Sequence, residues 1–170
     1  MSCLLTAGYT LGCRDNLGGI QTFYVGNFSA ATTFTTGVDN IITGGTIVPT
    51  FYTIEQRNEV GDYREEGAHS VENGTNFWTQ TAMMTLYKNQ ASIRDLLLVL
   101  AQTRLQVLVK DQNGKIFMIG EQNGADLTAS SIGAGKAYGD LNGATFTLTA
   151  KEPYPAREVS STYFGTLTIV

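Results

Sequence analysis

Apolar and polar residues alternate on both sides of Asn113-Gly114, as RLQVLVKD (104–111) and KIFMIGEQ (115–122). Asn-Gly tolerates the positive φ of a tight two-residue turn, so this stretch predicts an antiparallel hairpin. The dipeptide recurs at Asn123-Gly124 and Asn142-Gly143 and predicts two more turns, with 123–143 read as a small-residue loop. ATFTLTAKE (144–152) sets Phe146 and Leu148 against Thr145, Thr147 and Thr149, the period of a half-buried strand. EPYPA (152–156) ends that strand, because proline has no N–H for the ladder. IQTFYVGNF (20–28), TFYTI (50–54) and STYFGTLTIV (161–170) also read as strands, the last placed to pair with another chain.

Two segments break the half-buried pattern. FWTQTAMMTLYK (77–88) has no clearly polar face, which predicts a strand covered on both sides. Residues 92–103 are the one convincing helix, with Ser92 as N-cap and Asp95 three positions on. Ile93, Leu96, Leu97 and Leu100 make its apolar stripe, and Leu98 and Val99 fall outside it. Strand and helix together carry more apolar surface than one sheet hides.

The stretch 55–76 changes character. Glu55, Glu59, Asp62, Glu65, Glu66 and Glu72 crowd into it, a density that cannot be buried without partners. It reads as a solvated loop or as a projecting arm, two extended legs about Gly61 and Gly67 that order against a neighbouring molecule. The fold class that follows is mainly β: one domain over 1–170, an antiparallel sandwich or barrel with a flanking helix at about 92–103 and a charged arm at about 55–76.

Charge and composition narrow the function. A net charge of -4 argues against a surface that grips nucleic acid. No stretch approaches the roughly 20 apolar residues of a membrane span, and MSCLLTAGYTLGC has no positive residue ahead of its apolar part, so a cytoplasmically made product with no membrane contact is expected. Cys3 and Cys13 read as free thiols, since one histidine and no second cysteine pair make a poor zinc set.

Catalytic candidates are thin, and neither an enzyme nor a cofactor is expected. His69 and Ser70 lack a nucleophile-elbow context. SIGAGKA (131–137) misses the first glycine and the final Ser or Thr of a phosphate loop, and DQNG (111–114) lacks the later ligands of a calcium loop. The adjacent Glu65 and Glu66 read as solvated charges, and Asn27-Phe28-Ser29 and Asn73-Gly74-Thr75 match glycosylation acceptors only in form.

The order of parts resembles the tail-tube family of tailed bacteriophages. ENGTNFWTQTAMMTLYK (72–88), VLVKDQNGKIFMIGEQNGADLTASS (107–131) and DLNGATFTLTAKEPYPA (140–156) look like a virion protein of crAss-like and other Bacteroidetes phages. The resemblance covers about half of the chain well, and SCLLTAGYTLGCRDNLGGI (2–20) more loosely. It implies a subunit that forms rings, hexameric in such relatives, which stack around a channel through which DNA passes as unbound cargo. It implies partners among copies of the chain and other virion proteins, and a place in the virion, as tail tube or head-to-tail connector. Glu59, Asp62, Arg64, Glu65 and Glu66 of the arm, Trp78, Met84 and Leu86 of the strand, and Leu98 and Val99 of the helix are the candidate assembly residues. A capsid-associated or decoration protein is the nearest alternative. A carbohydrate- or surface-binding sandwich, stacking ligands on Trp78 or the tyrosines, is the other.

Overall fold

The computed structural model describes residues 8–170. In chain order the strands are β1 (Ile20–Asn27), β2 (Thr33–Thr36), β3 (Ile42–Thr46), β4 (Phe51–Glu55), β5 (Asp62–Ser70), β6 (Thr75–Tyr87), β7 (Leu105–Asp111), β8 (Ile116–Ile119), β9 (Ala125–Gly133), β10 (Gly143–Glu152) and β11 (Arg157–Glu158). Helix α1 (Ala91–Gln102) precedes β7, and the short α2 (Ser161–Phe164) follows β11.

The main sheet folds into two leaves. The first runs β4-β1-β7-β8-β11 and the second β9-β10-β6-β5, all antiparallel. Leu105 opposite Ala125 is the register pair that joins them. Phe23, Val25, Ile54, Val107, Val109 and Ile119 of the first leaf meet Ala82, Met84, Phe146, Leu148 and Ala150 of the second in one core. Ile93, Leu97 and Leu100 of α1 complete it. Across the far lateral side Tyr63 of β5 stacks on Phe117 of β8, with ring centroids 6.0 Å apart. The arrangement is a sandwich with a flanking helix, and the backbone ladder does not close into a barrel.

The back of the first leaf is covered as well. Leu108, Phe51, Ile116 and Met118 pack under Ile42 of the β2-β3 hairpin, Val159, and Tyr163 of α2. Residues 161–170 therefore do not form the expected strand. Ser160 Oγ accepts the Tyr163 N–H at 3.1 Å and caps a short helix that delivers Tyr163 and Phe164 to this second core. Only the last residues are extended, and they pair with the chain's own β4 rather than waiting for another chain.

Further expectations are corrected. The Asn113-Gly114 turn joins β7 to β8, but as a three-residue loop: Gly114 takes φ 79, and Asp111 accepts the N–H groups of Asn113 and Lys115 through Oδ1. Asn123-Gly124 carries the chain past the end of β7 into the second leaf, and Gly143 is needed for contact rather than for a turn. A Cβ there would lie 2.0 Å from the Leu86 carbonyl oxygen. Residues 125–133 of the expected loop 123–143 are strand β9, held along its length by β10 although its residues are small.

The helix begins earlier than Ser92. Gln90, in an extended conformation, occupies the cap position without a side-chain bond, and Ser92 lies inside the first turn. Strand β6 is fully covered only on its even-numbered face, where Gln80, Ala82 and Met84 are buried; on the opposite face Phe77 and Met83 are exposed, and Thr85, beside Gln56, is buried. The outside of the second leaf is open, and threonines line much of it.

Phe146 is buried at the centre of the core, so Phe146→Ala is expected to cost about 3–5 kcal/mol in urea unfolding. Leu98→Ala, on the outer helix surface, should stay within about 0.5 kcal/mol. Equal losses for the two would contradict this account of the core.

Candidate assembly surfaces

Sheet edges are where backbone N–H and C=O groups are free to pair with another chain. The first leaf closes both of its own. Phe51 and Thr53 of β4 donate to Thr168 and Val170, and Val170 donates back to Phe51. On the other side β11 pairs with β8, Val159 donates to Ile116, and Ser160 donates to Ile42. The second leaf has no such cover. Among the described residues, β5 makes backbone hydrogen bonds only with β6, and β9 beyond Ala125 only with β10.

Strand β5 and the start of β6 are the expected arm, and they form an ordered hairpin, with Asp62 opposite Met83 through to Ser70 opposite Thr75. Because β10 reaches only to Trp78, the hairpin from Ala68 to Phe77 stands beyond the leaf, supported by its own ladder. Inside it His69 Nδ1 bonds Asn76 Oδ1 at 2.7 Å, and Ser70 Oγ accepts the Asn73 N–H. Both side chains are engaged by the hairpin itself.

The candidate residues separate into three groups. Glu59, Asp62, Arg64 and Glu66 are exposed, as are Leu98 and Val99, which are 60% and 56% exposed on α1. Arg64 and Glu66 lie 3.8 Å apart on the outer face of β5, and two such exposed side chains contribute little to stability. Trp78 is half-buried on the inner face, with the His69 ring edge-on to it at 5.6 Å.

Met84, Leu86 and Glu65 are corrected. Met84 is fully buried, and Leu86 packs against the same core, because the even-numbered residues of β6 face inward. Glu65 also points inward, where it accepts the Tyr63 hydroxyl and, at 2.6 Å, the Ala156 N–H. It ties the edge strand to the chain after β10. Burial and the neighbouring Glu65 raise the Tyr63 hydroxyl far above its ordinary value.

A second polar concentration, invisible as a motif, lies where β8 crosses into β9. Glu152, 1% exposed, accepts the N–H groups of Gln122 and Asn123 through Oε1 at 3.0 and 2.9 Å. Glu121 pairs with Arg157 at 3.2 Å, and Arg157 lies over the Tyr154 ring. The Gln80 amide spans the same region, accepting the Gly120 N–H and donating to the Tyr154 carbonyl. Burial raises both carboxyls above their ordinary range, opposed at Glu121 by Arg157 and at Glu152 by the two N–H bonds. Burial and the nearby Glu121 push the Tyr154 hydroxyl up to about 12.

The remaining sequence candidates fall elsewhere. Residues 131–137 divide between the end of β9 and the loop after it, where Asp140 accepts the N–H groups of Lys136 and Ala137. Cys13 is an exposed free thiol, and Cys3 lies outside the described residues. Among the described residues no cluster of three or more His, Cys, Asp or Glu is arranged to hold a metal, and no helix is long and apolar enough to cross a membrane. Models of known protein families find no match in the chain, and no curated protein matches it.

Two outcomes are expected from this geometry. Glu65→Lys should lose about 1–3 kcal/mol of stability by stranding the Ala156 N–H, while Glu66→Lys should stay within about 0.5 kcal/mol; chemical unfolding distinguishes them. Glu152 has a folded-state pKa above its unfolded one, so the folded state binds the extra proton and its stability rises as pH falls from neutral toward the ordinary carboxylate range. Glu152→Gln keeps an acceptor for both N–H groups. It should melt above the wild type at pH 7, with the difference shrinking by pH 5.

Proposed function

We propose that the chain is a structural subunit of a bacteriophage virion, joining copies of itself edge to edge into rings of the tail tube or head-to-tail connector around the DNA channel. One observation carries the reading: the chain gives both edges of its first leaf backbone partners and leaves both edges of its second without one, α1 lying beside β9. The bare strands β5 and β9 flank the same four-stranded leaf. Strand β5 of one copy therefore pairs with β9 of the next, and a closed ring leaves no free edge.

The outer face of that leaf becomes the channel wall in this arrangement. Thr79, Thr81, Thr145, Thr147 and Thr149 occupy its centre, with Thr128 Oγ1 2.9 Å from Thr149 Oγ1. Its charges are mixed, Asp62, Arg64 and Glu66 on β5, Asp126 on β9 and Lys151 on β10. A hydroxyl-rich wall without a basic surplus gives phosphates no grip, so DNA slides through. Leu98 and Val99 add apolar contact toward the roughly 800 Å² per partner of a stable interface. The hairpin beyond the leaf reaches the next ring.

Negative-stain electron microscopy of the concentrated protein tests this. Rings or short tubes are expected. A species that stays monomeric at every concentration rules the reading out.

A further inference from the structure

Asn-Gly occurs four times in the chain, at Asn73, Asn113, Asn123 and Asn142. The pair carries a reaction as well as a turn preference. A glycine amide nitrogen can attack the side-chain carbon Cγ of the asparagine before it, because no Cβ shields that nitrogen or restricts its rotation. The attack needs an asparagine side chain free to swing onto the backbone and a backbone free to turn its next nitrogen toward it.

Three of the four pairs are held. Asn113 Oδ1 accepts the Leu17 N–H at 2.9 Å, its Nδ2 donates to the Leu17 carbonyl at 2.8 Å and to Asn16 Oδ1 at 2.7 Å, and the Gly114 N–H donates to the Asp111 carbonyl. Asn123 Nδ2 donates to the Lys151 carbonyl at 2.7 Å and its N–H to Glu152, while Gly124 packs against Phe28 and Arg104. Asn142 is exposed, but its carbonyl accepts the Lys88 N–H at 2.8 Å, and Gly143 is buried between Tyr87 of β6 and Gly133 of β9. Turning the Gly143 nitrogen opens the sheet there.

Asn73-Gly74 is built differently. The loop 71–74 joins β5 to β6 at the tip of the hairpin that stands beyond the leaf, and all four of its residues are exposed. The Asn73 N–H rests on Ser70 Oγ at 3.2 Å, yet among the described residues its side-chain amide has no hydrogen-bond partner. Gly74 takes φ 62, and a Cβ built on it would meet nothing within 4 Å. An exposed loop tip supported only by its own ladder lies at the low end of local stability.

We propose that Asn73 is a site of spontaneous modification, at which the Gly74 amide nitrogen attacks Asn73 Cγ. The new N–Cγ bond forms as the Cγ–Nδ2 bond breaks, and the departing nitrogen leaves as ammonia, the Gly74 nitrogen having given up its proton. The product is a five-membered succinimide. Water then opens one or other imide carbonyl, giving aspartate at position 73 or its isomer isoaspartate, whose backbone runs through the former side chain. Water is the one co-reactant. Either product sets a new carboxylate beside Glu72, so the hairpin tip grows more acidic as the folded protein ages. The reaction does not depend on ring formation.

Trypsin digestion and mass spectrometry of the folded full chain, sampled during incubation at mildly alkaline pH, test this. The four pairs fall on four different tryptic peptides, 65–88, 111–115, 116–136 and 137–151. Peptide 65–88 should gain the mass of an amide-to-acid exchange about tenfold or more faster than any of the other three, which must first break hydrogen bonds or strand pairing. In urea, where that protection is gone, the four rates should converge. Asn73→Gln, on an exposed tip, should keep the fold and abolish the gain on 65–88. Another peptide that reacts as fast as 65–88 in the folded chain, a selectivity that persists undiminished in urea, or a gain on 65–88 that survives Asn73→Gln overturns the assignment.

Discussion

Backbone hydrogen bonding at sheet edges is the constraint on which the rest depends. The first leaf is closed by the chain's own segments, at β4 by residues 168–170 and at β8 by β11, with Val159 and Ser160 tied on to β8 and β3. The second leaf is as regular, yet β5 and β9 end in open N–H and C=O groups. An unprotected edge invites aggregation unless a specific partner covers it. The segments that close the first leaf come from the final part of the chain, and they bury Val159 and Tyr163 in doing so. One set of residues thus builds the second core and blocks unwanted pairing.

The same asymmetry organises the side chains. Inner positions of β6 and β10 fill the core, while their outer positions carry threonine, whose branched side chain suits a strand and whose hydroxyl suits water. Helix α1 seals one flank with Ile93, Leu97 and Leu100 and leaves Leu98 and Val99 outside. Apolar surface therefore remains on the helix and, through Phe77 and Met83, on the open leaf. Buried polar groups bind the leaves where packing alone would not: Gln80 and Glu152 fasten the β8-β9 crossing, and Glu65 fastens β5 to Ala156.

Much of this was legible in the residues. Alternation located β7, β8 and β10, and β-rich residues β1 and β4, to within a few positions, and the helical spacing from Ile93 to Leu100 located α1. Strand β9 was not legible, because its small residues have weak strand preference and only pairing with β10 makes it a strand. The acidic stretch concealed an edge strand for a related reason: its outer face meets water, so its composition is that of a loop. Met84 and Glu65 were misplaced because sequence gives the alternation of a strand without saying which face is inside. The polar concentration at the β8-β9 crossing left no local signal, since Gln80, Glu121 and Glu152 come from distant parts of the chain. Ser160 ahead of Tyr163 was a cap signal that could have revealed α2.

Hydrogen exchange of the β5 and β9 amides, compared between dilute and assembled protein, addresses the central claim most directly. The open edges should exchange fast in the dilute chain and become protected on assembly, while β4 and β8 amides are slow in both states. Amides of β5 and β9 that stay fast in the assembled protein, or that are already slow in the isolated chain, would contradict the account.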